Sequence, residues 1–194
     1  MTRVILVPIV HNLADLGSLA ESVRARYLQR FGPAVWRQRE RAVEKLWGDI
    51  RRAIEALALD YRRTRIYQDG MPVCGQEEQI VRELAAAGSL NHQLILELLR
   101  LGACLVGTED PQLLIREYQM QRRLIGAASA AERPLAPSPG EAAELLAARD
   151  RFIAERIAAT LAEGETALLF VGAAHGLEAL RASGIDVQTL SLAP

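Results

Sequence analysis

The run Ala167-Leu-Leu-Phe-Val171, apolar at every position and closed by Gly172, constrains this chain most. A strand with no polar side must be covered on both faces, which a parallel sheet between two helical layers provides. Four further short apolar segments, at about 3–10, 64–68, 102–107 and 185–190, read as strands, and most of the chain between them carries helical periodicity. The expectation is α/β: a central short-stranded sheet of about five strands, flanked by many helices, in a single domain over 1–194. With 194 residues, half of them hydrophobic, such a domain removes roughly 70% of its unfolded surface from water and needs no staple. The segment Glu132-Arg-Pro-Leu-Ala-Pro-Ser-Pro-Gly140 reads as a loop inside that domain, because the strand at 166–171 needs sheet neighbours from the N-terminal part.

The first helix is expected to start near Asp15 to Ser18, with Asp or Ser as its cap, and to end near Gly32-Pro33. A second runs from about 34 to 61. Trp36, Val43, Leu46, Trp47, Ile50, Ile54, Leu57 and Ala58 recur at spacings of three and four and form its apolar stripe, while its arginines and glutamates take the solvated side. Its length makes a homodimer contact a candidate. Further helices are expected at 76–87, 90–101, 110–128 and 141–163, with a short one beside His175.

Charge narrows the partners. Twenty-three basic residues against twenty-four acidic ones leave a formal charge of −1, which argues against nucleic acid and anionic membranes and leaves a small-molecule or peptide substrate. Cys74 and Cys104 lack metal or redox spacing and are expected to be reduced. No apolar stretch is long enough for a membrane span, so a cytoplasmic location is the expectation.

Two of the three histidines close apolar strands. His175 follows Gly172-Ala-Ala, and His11 follows Val4-Ile-Leu-Val-Pro-Ile-Val10. A helix N-terminus beside His175 would disfavour imidazolium and keep the ring available as ligand or base. Asp15 stands four residues after His11, able either to share its ligand or simply to cap a helix. His92, at a helix start after Gly88-Ser-Leu-Asn91, reads as a capping or solvent-facing residue. Acids close the other strands: Asp69 before a Gly-Met-Pro turn with Glu77 and Glu78 beyond it, and Glu109-Asp110 before Pro111. Only one of the adjacent Glu77 and Glu78 can point into a site, and the dipole favours both whether or not they act. Asp110 is a natural cap, which leaves Glu109 freer. Open α/β sheets bind ligands outside the carboxyl ends of their strands, so these side chains are expected at one edge. Two imidazoles with carboxylates suit a divalent metal, Mn, Zn, Co or Fe, with His11, His175, Glu78 and Asp69 as candidate ligands.

The pair Arg149-Asp150 on a helix, followed by Leu168-Leu-Phe-Val-Gly172-Ala-Ala-His175, resembles the TraB/TIKI/PrgY group and its ChaN-like and erythromycin-esterase-like relatives. In that group an Arg-Asn or Arg-Asp pair precedes a strand and a Gly-x-x-His, and a first Gly-x-x-His lies near the N-terminus. Here Pro8-Ile-Val-His11 departs from it by replacing the glycine. The middle of the chain resembles an uncharacterised bacterial family. The first resemblance implies a ChaN/EreA-like fold and a site used for metal-dependent hydrolysis, for histidine-based ester hydrolysis or for haem.

The resulting expectation is a hydrolase of peptide or ester bonds. A metal held by His11, His175 and carboxylates would activate water, Arg149 would stabilise the oxyanion, Glu109 would serve as a catalytic carboxylate and Asp150 would orient a histidine. Two alternatives stand beside it: a metal-free hydrolase with a histidine base, and a non-enzymatic dimeric binding or regulatory module.

Overall fold

The computed structural model describes residues 2–10, 12–126 and 138–192. Five strands, β1 (Arg3–Ile9), β2 (Thr64–Gln68), β3 (Cys104–Val106), β4 (Thr166–Gly172) and β5 (Asp186–Thr189), form one parallel sheet in the order β3-β2-β4-β1-β5. The expected α/β architecture is the one that forms. β4, the strand without a polar side, lies at the centre, in register with β1 from Arg3↔Thr166 to Ile9↔Gly172 and with β2 from Thr64↔Thr166 to Gln68↔Phe170.

The two-residue period of a strand divides its side chains between two cores. Ile5, Val7, Ile9, Ile66, Leu168 and Phe170 face one helical layer: α1 (Ala20–Ala56) through Val43, Trp47, Ile50 and Ile54, α2 (Glu77–Ala86) through Val81, and α3 (Leu90–Arg100) through Leu94, Ile95 and Leu98. Val4, Leu6, Tyr67, Val106, Ala167, Leu169 and Val171 face the other, built from α5 (Pro139–Thr160) through Ile153, Ala154 and Ile157 and from α6 (Glu178–Ala182) through Leu180. Each buried Val, Leu, Ile or Phe among them contributes about 1.5–3 kcal/mol by leaving water. The remaining helix, α4 (Pro111–Gly126), runs beside α5.

The break expected at Gly32-Pro33 is a kink inside α1. Gly32 has φ 78° and ψ 168°, and Pro33 begins the next stretch. The helix ends at Ala56 instead of Tyr61, because Ala58 turns to φ 49° and Asp60 caps a 3₁₀ turn over Tyr61–Arg63. Of the expected apolar stripe, Val43, Trp47, Ile50 and Ile54 belong to the core beneath the chain's own sheet, and Trp36 is buried as well. Of the proline-rich loop, 132–137 lie outside the described residues. Ser138 caps α5, accepting from Glu141 N at 3.1 Å. No helix among the described residues is long and apolar enough to cross a membrane.

Candidate functional site

Parallel strands end on one side of their sheet, so the residues just beyond β2, β3 and β4 meet. Asp69 extends β2 by one residue and stays tied to β4, its amide donating to Phe170 O at 2.8 Å. Its Oδ2 accepts from Gly172 N at 3.1 Å, and a Cβ on Gly172 would lie 3.1 Å from that same oxygen. Gly172 therefore serves by lacking a side chain, which lets the carboxylate approach the backbone. Glu109 follows β3 and is fully buried. Its amide and that of Thr108 both donate to Met71 O, and its Oε1 accepts from Gly70 N at 2.7 Å.

The helix α5 lays Arg149, 4% exposed, between these two carboxylates. Its Nε and Nη2 grip Glu109 as a fork at 2.5 and 2.6 Å, Nη2 also donates to Asp69 Oδ1 at 2.6 Å, and Nη1 lies 2.7 Å from Glu117 on α4. Asp150, the next residue, faces the His175 side. Its Oδ1 is 2.5 Å from Nδ1 of His175, and its Oδ2 accepts from the amides of Gly176 and Leu177 at 3.0 and 3.3 Å. The other ring nitrogen of His175 lies 3.3 Å from Asp69 Oδ2. The imidazole thus has a carboxylate on each side.

This arrangement decides the charges. Burial disfavours a proton on His175, but the bonds to Asp150 and Asp69 outweigh it and lift its pKa to about 9. The expectation of a ring kept neutral by a helix N-terminus is corrected here. α6 begins only at Glu178, behind Leu177 at φ 54°, and the two carboxylates govern the ring. Burial raises the Asp69 carboxyl, yet His175, Arg149 and the Gly172 amide bring it well below the usual range. Burial likewise works against Asp150, and His175 with the two amides holds it low. Glu109 is the carboxyl pushed upward, by burial first and by Asp69, against the pull of Arg149 and the Gly70 amide. Burial lowers Arg149, but Glu109, Asp69 and Glu117 hold its guanidinium protonated.

Five of the expected site residues, Asp69, Glu109, Arg149, Asp150 and His175, therefore come together. Glu78 does not: it pairs with Arg82 at 2.7 Å on the outer side of α2, with its side chain 62% exposed. Glu77 accepts from the amides of Cys74 and Gly75 at 2.9 and 3.0 Å, closing its own turn. His11 lies outside the described residues. With three hydrogen bonds and an ion pair to carboxylates, Arg149 holds acids in place and is not poised to receive an oxyanion.

Of the expected metal donors, Asp69 and His175 are engaged in the same way. Among the described residues no three His, Cys, Asp or Glu side chains are arranged to hold a metal ion. The guanidinium stands among the carboxylates, and both nitrogens of His175 have anionic partners, so the described donors do not fit a metal centre.

A cavity of about 580 Å³ opens on this network, lined by Asp69, Glu117, Arg149, Gly172 and His175 and, less expectedly, by Gln68, Asp15 and His92. Gln68 is 1% exposed. Its amide nitrogen donates to Asp69 O at 2.8 Å, which fixes the amide's orientation, and its Oε1 has no partner among the described residues. A bound molecule offering an N–H or O–H would satisfy it. Asp15 is not the helix cap that its position suggests. Its Oδ2 accepts from Asn12 N at 2.8 Å, its own N–H donates to Asn12 Oδ1 at 3.2 Å, and Asp15 Oδ1 accepts from the Ser89 hydroxyl. His92 is likewise buried, and Ser89 is the residue that caps α3. A second hollow, of about 680 Å³ between α1 and β5, is lined by Lys45, Asp49 and Arg52, which pair with one another along the helix. No family model, curated protein or solved structure matches this chain significantly.

Proposed function

We propose that the cavity at the strand ends is the active site of a hydrolase of ester or peptide bonds that works with protein groups alone. The observation that carries this reading is the imidazole of His175, bracketed by Asp150 and Asp69 on the wall of that cavity. Asp150 anchors Nδ1 at 2.5 Å, and the longer 3.3 Å contact leaves the Nε2 proton open to competition from a bound leaving group. His175 is then the proton donor to that group, with Asp150 fixing the ring. Arg149 keeps Asp69 and Glu109 in position, and the unpartnered Gln68 Oε1 receives a substrate donor. The resemblance of Arg149-Asp150 and Gly172-x-x-His175 to the erythromycin-esterase-like group supports the reaction class. Exposed, unpaired Cys74 and Cys104 favour a reducing compartment such as the cytoplasm.

The test is a panel of aryl esters and short peptides with and without a chelator. Turnover that survives chelation and falls at least about a hundredfold in His175→Ala is expected. Turnover lost to chelator and restored by Mn or Zn would return the reaction to a metal. No turnover on any member of the panel would remove the proposal.

A further inference from the structure

The hydrolase reading supplies a proton donor and lacks a proton acceptor. His175 already carries its proton, and Asp69 is a weak base held by three partners. The same cavity has a second imidazole. His92 lines it together with Asp15, and the two meet through Ser89, which is wholly buried. The Ser89 hydroxyl touches three groups: a carboxylate oxygen of Asp15, the backbone amide of His92 at 3.2 Å and Nδ1 of His92 at 2.7 Å.

A hydroxyl has one proton to give and two lone pairs to receive with. The Asp15 carboxylate only accepts, so the Ser89 proton goes to it. The lone pairs of Ser89 then receive the His92 amide N–H and the ring's Nδ1–H. In the neutral ring this fixes one tautomer, protonated at Nδ1 and bare at Nε2. Asp15 Oδ1, 3.4 Å from Nδ1, favours the same proton position directly. The hydrogen bonds of His92 with described residues run through Nδ1 and its backbone amide and none through Nε2, on a side chain 7% exposed.

We propose that His92 is the proton acceptor of this cavity, held by Asp15 acting through Ser89 so that its Nε2 lone pair meets the bound water. As a catalytic role this rests on the hydrolase reading. Nε2 takes a proton from water as the water oxygen bonds to the carbonyl carbon. His175 Nε2 gives its proton to the leaving oxygen or nitrogen as that bond breaks. Solvent then removes the proton from His92 and returns one to His175, so the sum is ester or amide plus water to acid plus alcohol or amine. Ser89, wholly buried, is a positioning residue and not a nucleophile, and Asp15 positions through it.

Nitrogen NMR on the full chain labelled at histidine reads the tautomer at alkaline pH, and with three histidines His92→Gln identifies the signal. A protonated Nδ1 with a bare Nε2 is expected. Asp15→Ala frees the Ser89 proton to turn towards Nδ1 and shifts population to the Nε2–H form, whereas Ser89→Ala keeps Nδ1–H because Asp15 still faces it. In turnover, His92→Gln lowers kcat by about a hundredfold to ten-thousandfold with KM little changed. A wild-type ring protonated at Nε2 overturns the proposal, as does a ring charged at both nitrogens or undiminished turnover in a folded His92→Gln. A wild-type protein without turnover removes the hydrolase reading alone, and the tautomer still decides this one.

Discussion

His175 and His92 line one cavity, both nearly out of solvent, and they are built in opposite ways. His175 has a carboxylate directly on each ring nitrogen, and its proton is stabilised. His92 has a hydroxyl between its ring and the nearest bonded carboxylate, so its Nδ1 meets Ser89, which in turn donates to Asp15. The difference shows that a carboxylate near a histidine does not by itself set the ring's role. A direct bond stabilises the ring's proton, whereas an interposed hydroxyl, as proposed for His92, sets which nitrogen is bare.

The largest way to break this contrast is to remove the cation behind His175. Arg149→Met would leave Asp69, Glu109 and Glu117 facing one another, and a loss of about 3–5 kcal/mol in urea unfolding is expected. A loss under about 1 kcal/mol would mean that the fork is not formed in solution. A second test uses pH. A pKa lifted to about 9 from 6.5 means that the folded state binds the His175 proton more tightly than the unfolded chain does. The resulting stability is full below about pH 6.5, fades as pH rises through the window and is gone above about pH 9, with an upper size of about 3 kcal/mol. Asp150→Asn should remove most of that slope. A slope unchanged in the variant would shift the credit to Asp69. The smallest effect belongs to Glu78→Gln, which touches only a surface pair and should change stability by less than about 0.5 kcal/mol and leave turnover alone.

The strands and the meeting of Asp69, Glu109 and His175 are legible in the sequence because apolar runs end where Gly and acidic or imidazole residues begin, and parallel strands end on one side. Arg149-Asp150 is legible through a resemblance. Pairing is not. Nothing local to Arg149 announces that three carboxylates, from just beyond β2 and β3 and from α4, saturate it, so in sequence it reads as an oxyanion binder. Glu78 reads as a ligand because a first-turn carboxylate looks the same whether it faces a cavity or solvent. His92 reads as ordinary for a related reason: Ser-x-x-His at a helix start is common capping grammar, and only the tertiary approach of Asp15, 74 residues from Ser89, joins that cap to a carboxylate. Gln68 and Glu117 carry no signal beyond their places at a strand end and on a helix.

The order β3-β2-β4-β1-β5 also dictates when this molecule can come into being. β1 has only β4 and β5 as neighbours, and Arg3 meets Thr166 across 163 residues of chain. As the polypeptide leaves the ribosome, its first strand has an apolar face and no edge to join until β4 has been made. β4 also joins β2 to β1, so the sheet closes late and in one event, from contacts of long sequence separation that are slow to form. Until then Val4 to Val7 is an unprotected β-prone segment, and yield during synthesis should depend on how quickly the last quarter of the chain follows.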